Sequence, residues 1–242
     1  MPRSDPTRVL LTGPVNGRER WSQALASAES LEVIERPVLE IVSLTLPAVG
    51  ERPDWLCLTS SNALPALERC WKDLRGVPVA VVGGTSAEIA RAWGLEVEVG
   101  PAASSDELLA QWRDRLEPGQ RVLWPRGSVS DDLARDLRAL GLIVDDPIAY
   151  DTRESRDRRA LPAADFVFFA SPSAVRAAAG LERVDPSAPV AIAIGPTTAR
   201  ALAEDSRDDP ALFAGLEVLE RPEPEALVQL LAELERRKLR GH

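Results

Sequence analysis

Trp55-Leu56-Cys57-Leu58-Thr59-Ser60-Ser61-Asn62-Ala63 returns 111 residues later as Phe166-Val167-Phe168-Phe169-Ala170-Ser171-Pro172-Ser173-Ala174. In both copies four apolar residues run without a break into a turn that carries hydroxyls. A short continuous apolar run bounded by turn residues is the pattern of a strand buried on both faces, as in a parallel sheet. The next block repeats as well. Pro78-Val79-Ala80-Val81-Val82-Gly83-Gly84-Thr85-Ser86-Ala87 matches Pro189-Val190-Ala191-Ile192-Ala193-Ile194-Gly195-Pro196-Thr197-Thr198-Ala199.

Working outward, Arg8-Val9-Leu10 matches Arg121-Val122-Leu123, Leu95-Glu96-Val97 matches Leu216-Glu217-Val218, and Leu108-Leu109 matches Leu227-Val228. The blocks keep their order at nearly constant spacing, and an insertion near Ser206–Leu212 accounts for the drift. Two copies with so long a period make a tandem duplication, not a solenoid. Strand, turn and helical stretch alternate throughout, which predicts βαβ units and parallel sheets. Helices are expected over Ser130–Gly141, with Ser130 as N-cap and Gly141 as stop, and over Pro224–Lys238. Their stripes Leu133/Leu137/Leu140 and Leu227/Leu230/Leu231/Leu234 pack on sheets.

The extended stretches Val38–Leu44 and Ile148–Thr152 lie where the chain can cross between two lobes. The fold expected is α/β, with two similar lobes joined by a two-stranded hinge and a cleft between them. Each lobe is a parallel sheet flanked by helices. Residues 1–37 with 153–242 form a discontinuous lobe, and 38–152 an inserted one with a hinge strand at each end.

Composition removes several functions. A net charge of −9 over 242 residues argues against nucleic acid or an anionic membrane as partner. No apolar run reaches the roughly 20 residues that span a bilayer. Met1–Arg8 is polar and lacks an apolar signal core, so a cytoplasmic protein is expected. The sole histidine is His242, which leaves no Ser-His-Asp or Cys-His machinery. Cys57 and Cys70 read as two buried thiols. No acidic cluster has metal-ligand spacing, and no Gly-Lys-Ser/Thr phosphate loop occurs.

The remaining candidates are turns. In open α/β sheets ligands bind beyond the C-terminal ends of the strands. Thr59-Ser60-Ser61-Asn62, Gly83-Gly84-Thr85-Ser86, Ala170-Ser171-Pro172-Ser173 and Gly195-Pro196-Thr197-Thr198 all fall there, with Pro125-Arg126-Gly127-Ser128 as a fifth. Such residues either cap the following helix or offer hydroxyls and backbone N–H groups to an anion. Arg126 pairs with a ligand carboxylate or with Asp131 or Asp132. Tyr150, the one tyrosine, is either a half-buried strand aromatic or a phenol at the cleft mouth able to donate a proton.

Taken together, Ile194-Gly195-Pro196-Thr197-Thr198-Ala199-Arg200-Ala201-Leu202, Tyr150-Asp151-Thr152, Val82–Ala87, Leu123-Trp124-Pro125-Arg126-Gly127 and the paired serines Ser60 and Ser171 resemble the uroporphyrinogen-III synthase family. The resemblance covers nearly the whole chain in order. It implies cyclisation of the linear tetrapyrrole hydroxymethylbilane with inversion of the last pyrrole ring and loss of water. It implies no cofactor and no metal. Tyr150 matches the family's crossing tyrosine and is assigned to assisting hydroxyl departure. The substrate-binding set comprises Ser60, Ser61, Asn62, Gly83, Gly84, Thr85, Arg126, Gly127, Ser171, Pro172, Ser173, Gly195, Pro196, Thr197 and Thr198. The expected partner is the small-molecule tetrapyrrole, with no nucleic acid and no membrane, and the protein is read as a monomer.

Two departures stand out. Thr12-Gly13-Pro14 follows the first strand where family members often carry an arginine, the nearest being Arg18. Ala26–Glu32 lacks the usual glycine. A two-lobed module that binds an anionic small molecule without turning it over is the alternative. A nucleotide-utilising transferase is the third reading.

Overall fold

The computed structural model describes residues 6–15, 18–46, 50–70, 72–128, 132–185, 187–205 and 212–240. Along the chain the elements are β1 (Thr7–Leu11), α1 (Glu19–Ala26), β2 (Leu31–Glu35), β3 (Leu39–Ser43), β4 (Trp55–Leu58), β5 (Pro78–Val82), α2 (Gly84–Ala92) and β6 (Glu96–Ala102). There follow α3 (Ser105–Trp112), β7 (Arg121–Leu123), β8 (Arg126–Gly127), α4 (Asp132–Ala139), β9 (Ile143–Asp145) and β10 (Ile148–Glu154). The last are β11 (Phe166–Phe169), α5 (Pro172–Ala179), β12 (Val190–Ala193), α6 (Pro196–Asp205), β13 (Gly215–Val218) and α7 (Pro224–Arg240).

Contacts divide the chain into Met1–Glu40 with Arg153–His242, and Ile41–Thr152. The first unit is built on a five-stranded parallel sheet in the order β13-β12-β11-β1-β2. Its central strands are buried on both faces because their side chains alternate between two cores. Val9, Leu11, Phe166 and Phe168 meet Trp21, Leu25, Leu227 and Leu231 on one side. Leu10, Val167 and Phe169 meet Ala174, Val175, Ala178 and Leu202 on the other.

The second unit repeats this plan in the order β6-β5-β4-β7-β9, again all parallel. Leu56 and Leu58 lie in a core with Ala63, Leu64 and Leu67, while Trp55 and Cys57 face Trp112, Trp124 and Leu137. The duplication extends to register. Val9 pairs with Phe166 and Leu10 with Val167, and their matches Val122 and Leu123 pair with Trp55 and Leu56. A slip of one residue in either copy would turn its apolar set over, so two-sided burial holds the register.

A three-stranded sheet, β3-β10-β8, contains both segments in which the chain passes between the units. The crossing strands are therefore neighbours, Leu39–Ser43 beside Ile148–Glu154.

Local chemistry explains the helix ends. Ser104 caps α3 by accepting from the Glu107 N–H at 3.1 Å, and Glu107 reaches back to the Ala103 N–H at 3.0 Å. Gly141 ends the α4 region with φ +82°, and its N–H donates to the Arg138 carbonyl at 3.0 Å. Helix α7 begins at Pro224, where a missing N–H costs nothing.

Two expectations shift. The turn after β4 leads into a tight 3₁₀ stretch, Ser61–Cys70, not an α-helix. Pro65 within it has no N–H to give to an α-helical ladder. Arg126-Gly127 forms a short strand beside β10 and not a free turn. Ser130, Asp131, His242, residues 1–5 of the polar N-terminus and 206–211 of the insertion lie outside the described residues. No helix among the described residues is long and apolar enough to cross a membrane.

Candidate functional site

Each unit places two donor-rich turns at the C-terminal ends of neighbouring parallel strands. In the second unit they follow β4 and β5, and in the first they follow β11 and β12. The copies agree in exposure, residue for residue. Ser60, Ser61 and Asn62 are half-buried like Ser171, Pro172 and Ser173, and each trio is followed by a buried alanine, Ala63 or Ala174. Gly84 and Thr85 are exposed like Pro196 and Thr197, and each pair is followed by a buried hydroxyl residue, Ser86 or Thr198.

The turns differ in how their donors are engaged. The Ser171 hydroxyl accepts from the Ala174 N–H at 3.2 Å and so caps α5, and the Ser60 hydroxyl accepts from the Asn62 N–H at 3.3 Å. Gly83 enters α2 with φ +82°, a conformation that side chains resist, and no side chain caps that helix. A side chain at Gly84 or Gly195 would meet nothing within 4 Å. First-turn N–H groups of a helix lack partners within it, so the starts of α2 and α6 favour an anion through those donors and the helix dipole. Thr198 is 2% exposed, and its hydroxyl makes no hydrogen bond among the described residues.

Tyr150 and Gly127 stand opposite each other in the β10–β8 pairing. The half-buried Tyr150 ring lies directly on the Gly127 backbone, because a Cβ there would come within 2.9 Å of its Cζ and 3.0 Å of its Oη. The glycine makes room for the ring, a role not read from the sequence. The ring packs against a buried apolar cluster that includes Leu56, Leu58, Leu123 and Ala149. Beyond it, Ser128 donates to the Asp151 carboxylate at 2.7 Å.

Arg126 is paired with Asp146 and not with Asp132. Its Nε donates to Asp146 at 2.9 Å and its Nη1 to the Gly127 carbonyl at 3.2 Å, while Asp132 binds Arg135. Asp146 also accepts from Arg138. Burial pushes the Asp146 carboxyl up, but the hydrogen bonds from Arg126 and Arg138 prevail and hold it below the usual carboxylate range. The guanidinium is positioned by this carboxylate, 16% exposed against 18% for its partner.

The turn after β1 serves packing. Thr12 is fully buried and its hydroxyl donates to the Phe168 carbonyl at 2.8 Å, tying β1 to β11. Arg18 reaches back to Glu35 at 2.6 Å. Trp124, buried beneath the β4 turn, donates from Nε1 to the Thr59 hydroxyl at 3.1 Å. The apolar run around Trp124 suggested burial, and nothing local named Thr59 as its acceptor. Cys57 is fully buried and burial pushes its thiol up, so it stays protonated. Among the described residues no three His, Cys, Asp or Glu side chains are grouped to hold a metal.

Comparison with known proteins follows the same outline. The family model described as uroporphyrinogen-III synthase HemD matches residues 19–210. A uroporphyrinogen-III synthase of Synechococcus elongatus is 28% identical over 163 residues, 60% of this chain and 61% of that protein. That match thus spans less than two thirds of the relative's own length. The crystal structure of uroporphyrinogen-III synthetase from Helicobacter pylori 26695 superposes with a TM-score of 0.68 at 18% identity, covering 94% of this chain and 99% of that one. A mutant uroporphyrinogen III synthase from the extreme thermophile Thermus thermophilus gives 0.53 at 17% identity, covering 95% and 99%. At these identities the two structures speak to the fold.

Proposed function

Because the chain belongs to the uroporphyrinogen-III synthase family, we propose that it cyclises hydroxymethylbilane to uroporphyrinogen III, releasing one water. The observation that carries this reading is the family match across residues 19–210, which includes the turns after β4, β5, β11 and β12, Arg126-Gly127 and Tyr150. In this reading the protein is a lyase that works with its own side chains and needs no cofactor.

The linear tetrapyrrole bears acetate and propionate carboxylates around its rim. Helix-start N–H groups and the Thr85, Thr197 and Thr198 hydroxyls suit these anions without a basic surface. The substrate also closes unaided to the unwanted isomer, so catalysis consists largely of holding one folded conformation. The pyrrole nitrogen pushes out the terminal hydroxyl, and the Tyr150 phenol assists by donating a hydrogen bond or proton to it. The cation left behind is attacked by the substituted carbon of the last ring, giving a spiro intermediate whose reopening and reclosure inverts that ring. Exclusion of water protects the cation from being trapped.

The test is isomer analysis of the product formed from hydroxymethylbilane. Type III product made in proportion to protein supports the reading. Type I alone, at the spontaneous rate, refutes it and leaves a binding module. Full turnover and selectivity in Tyr150→Phe would remove the phenol from the mechanism while leaving the activity in place.

A further inference from the structure

Arg36 is charged, 6% exposed and without a role in the chemistry above. It sits at the end of β2, three residues before the first crossing strand. Its Nη2 donates to the Asp157 carbonyl at 2.9 Å and the Arg159 carbonyl at 2.6 Å. Its Nη1 donates to the Pro37 carbonyl at 3.2 Å and lies 3.3 Å from the Asp157 carboxylate. Residues 157 and 159 come just after the second crossing strand ends at Glu154. One guanidinium therefore grips both roots.

Neighbouring bonds extend the clasp. Ser155 donates its N–H to the Val38 carbonyl at 2.8 Å, and the Ser155 hydroxyl accepts from the Asp157 N–H at 3.2 Å. On the other side, the Arg36 and Val38 N–H groups each donate at 3.0 Å, to Leu11 and Thr12. Arg159 donates to the Asp157 carboxylate from Nε and Nη2. A buried guanidinium is costly unless its donors are met. Here the Asp157 and Arg159 carbonyls meet Nη2, the Pro37 carbonyl and the Asp157 carboxylate meet Nη1, and Nε alone has no partner among the described residues. A rigid planar fork with five donors holds these acceptors in a fixed geometry that the compact ammonium of a flexible lysine does not reproduce.

We propose that Arg36 is a positioning residue: it pins the roots of the two crossing strands, and through β10 it sets the backbone on which Tyr150 is carried. The part concerning Tyr150 rests on the functional reading above. Ser155, held by the clasp, is five residues along the chain from Tyr150, so slack at the root is passed to the phenol along one strand.

The experiment compares the full chain with Arg36→Lys, Arg36→Met and Asp157→Asn. Amide hydrogen exchange is followed at Ser155 and at Leu44, whose N–H donates to the Ala149 carbonyl at 2.8 Å. In Arg36→Lys these two amides exchange about tenfold faster, while Ile192 and Leu56 in the sheets keep their protection. Turnover falls on the order of tenfold with KM nearly unchanged, and the type III fraction drops. Arg36→Met is more severe, and Asp157→Asn, which keeps the carbonyl bonds, is milder. Unchanged exchange at Ser155 in Arg36→Lys overturns the clasp. Faster exchange with wild-type turnover and isomer fraction overturns the link to Tyr150. If the wild type makes type I product alone, the functional reading fails, and the exchange comparison still decides whether Arg36 holds the crossing strands.

Discussion

Gly127→Ala adds one methyl group at the point where the backbone meets the candidate catalytic phenol. The new Cβ would stand 2.9 Å from Cζ, 3.0 Å from Cε2 and 3.0 Å from Oη of Tyr150. Carbon atoms in good contact are about 3.5–4.0 Å apart, so the ring has to withdraw by about 0.5–1 Å. It cannot withdraw freely, because it packs against a buried apolar cluster that includes Leu56, Leu58 and Ala149, all 0% exposed. The strain lowers stability by about 1–3 kcal/mol, as overpacking generally does. That is a fall of about 2–12 °C in melting temperature for a chain of this size. The larger effect is on rate, since a displacement approaching 1 Å costs on the order of 100-fold. The assay is steady-state formation of type III product, with kcat and KM separated and a thermal melt on the same preparation. Gly127→Ala is then placed in a Tyr150→Phe background. If Gly127 acts by seating the phenol, its effect on kcat largely disappears there. Turnover within about twofold of wild type for Gly127→Ala alone, at a site where misplacement should cost about 100-fold, would refute the reasoning. So would an equal loss in both backgrounds.

Two turn residues that look alike in sequence should part company. Ser171→Ala loses the cap on α5 and costs about 1 kcal/mol of stability, visible in a denaturant melt. Thr198→Val leaves the melt almost unchanged, since the hydroxyl has no partner among the described residues, and raises KM for hydroxymethylbilane several-fold, about 1 kcal/mol for a lost hydrogen bond. Asp146→Asn gives a pH signature. The folded Asp146 pKa is depressed, so the pairing with Arg126 and Arg138 stabilises the protein above the unfolded carboxyl pKa near ~4 and is lost as pH falls through the lower folded value. Asp146→Asn is therefore less stable than wild type at neutral pH, and the gap closes on acidification below about pH 4 in a pH series of melts. A constant gap would show that the ion pair does not act in this way.

The strands and the duplication were legible because their causes are local. Trp55–Leu58 and Phe166–Phe169 are apolar without interruption, and in a parallel sheet that composition leaves few other places for them. The stripes Leu133/Leu137 and Leu227/Leu231 announce helices for a similar reason. The 3₁₀ geometry of Ser61–Cys70 was less accessible. Pro65 warned against a regular helix, but the choice between a tighter helix and a break depends on packing against the sheet. Paired turns could be read as donors, whereas their engagement could not: Ser171 caps a helix and Thr198 is left unbonded among the described residues.

By itself, then, the amino-acid sequence determined two copies of one parallel α/β plan, the strands that form each core, and the turns at their C-terminal ends. Periodicity and composition act over a few residues, and repetition makes them visible twice. Tertiary structure alone decided which partners meet across long stretches of chain. Gly127 and Tyr150 are unremarkable until β8 and β10 pair, and Arg126 finds Asp146 although Asp132 is nearer in sequence. Arg36 is one arginine among many until residues 157 and 159 return to it. These meetings depend on where the sheets bring distant segments, and a buried charge or a ring against a glycine leaves no periodic trace in the chain.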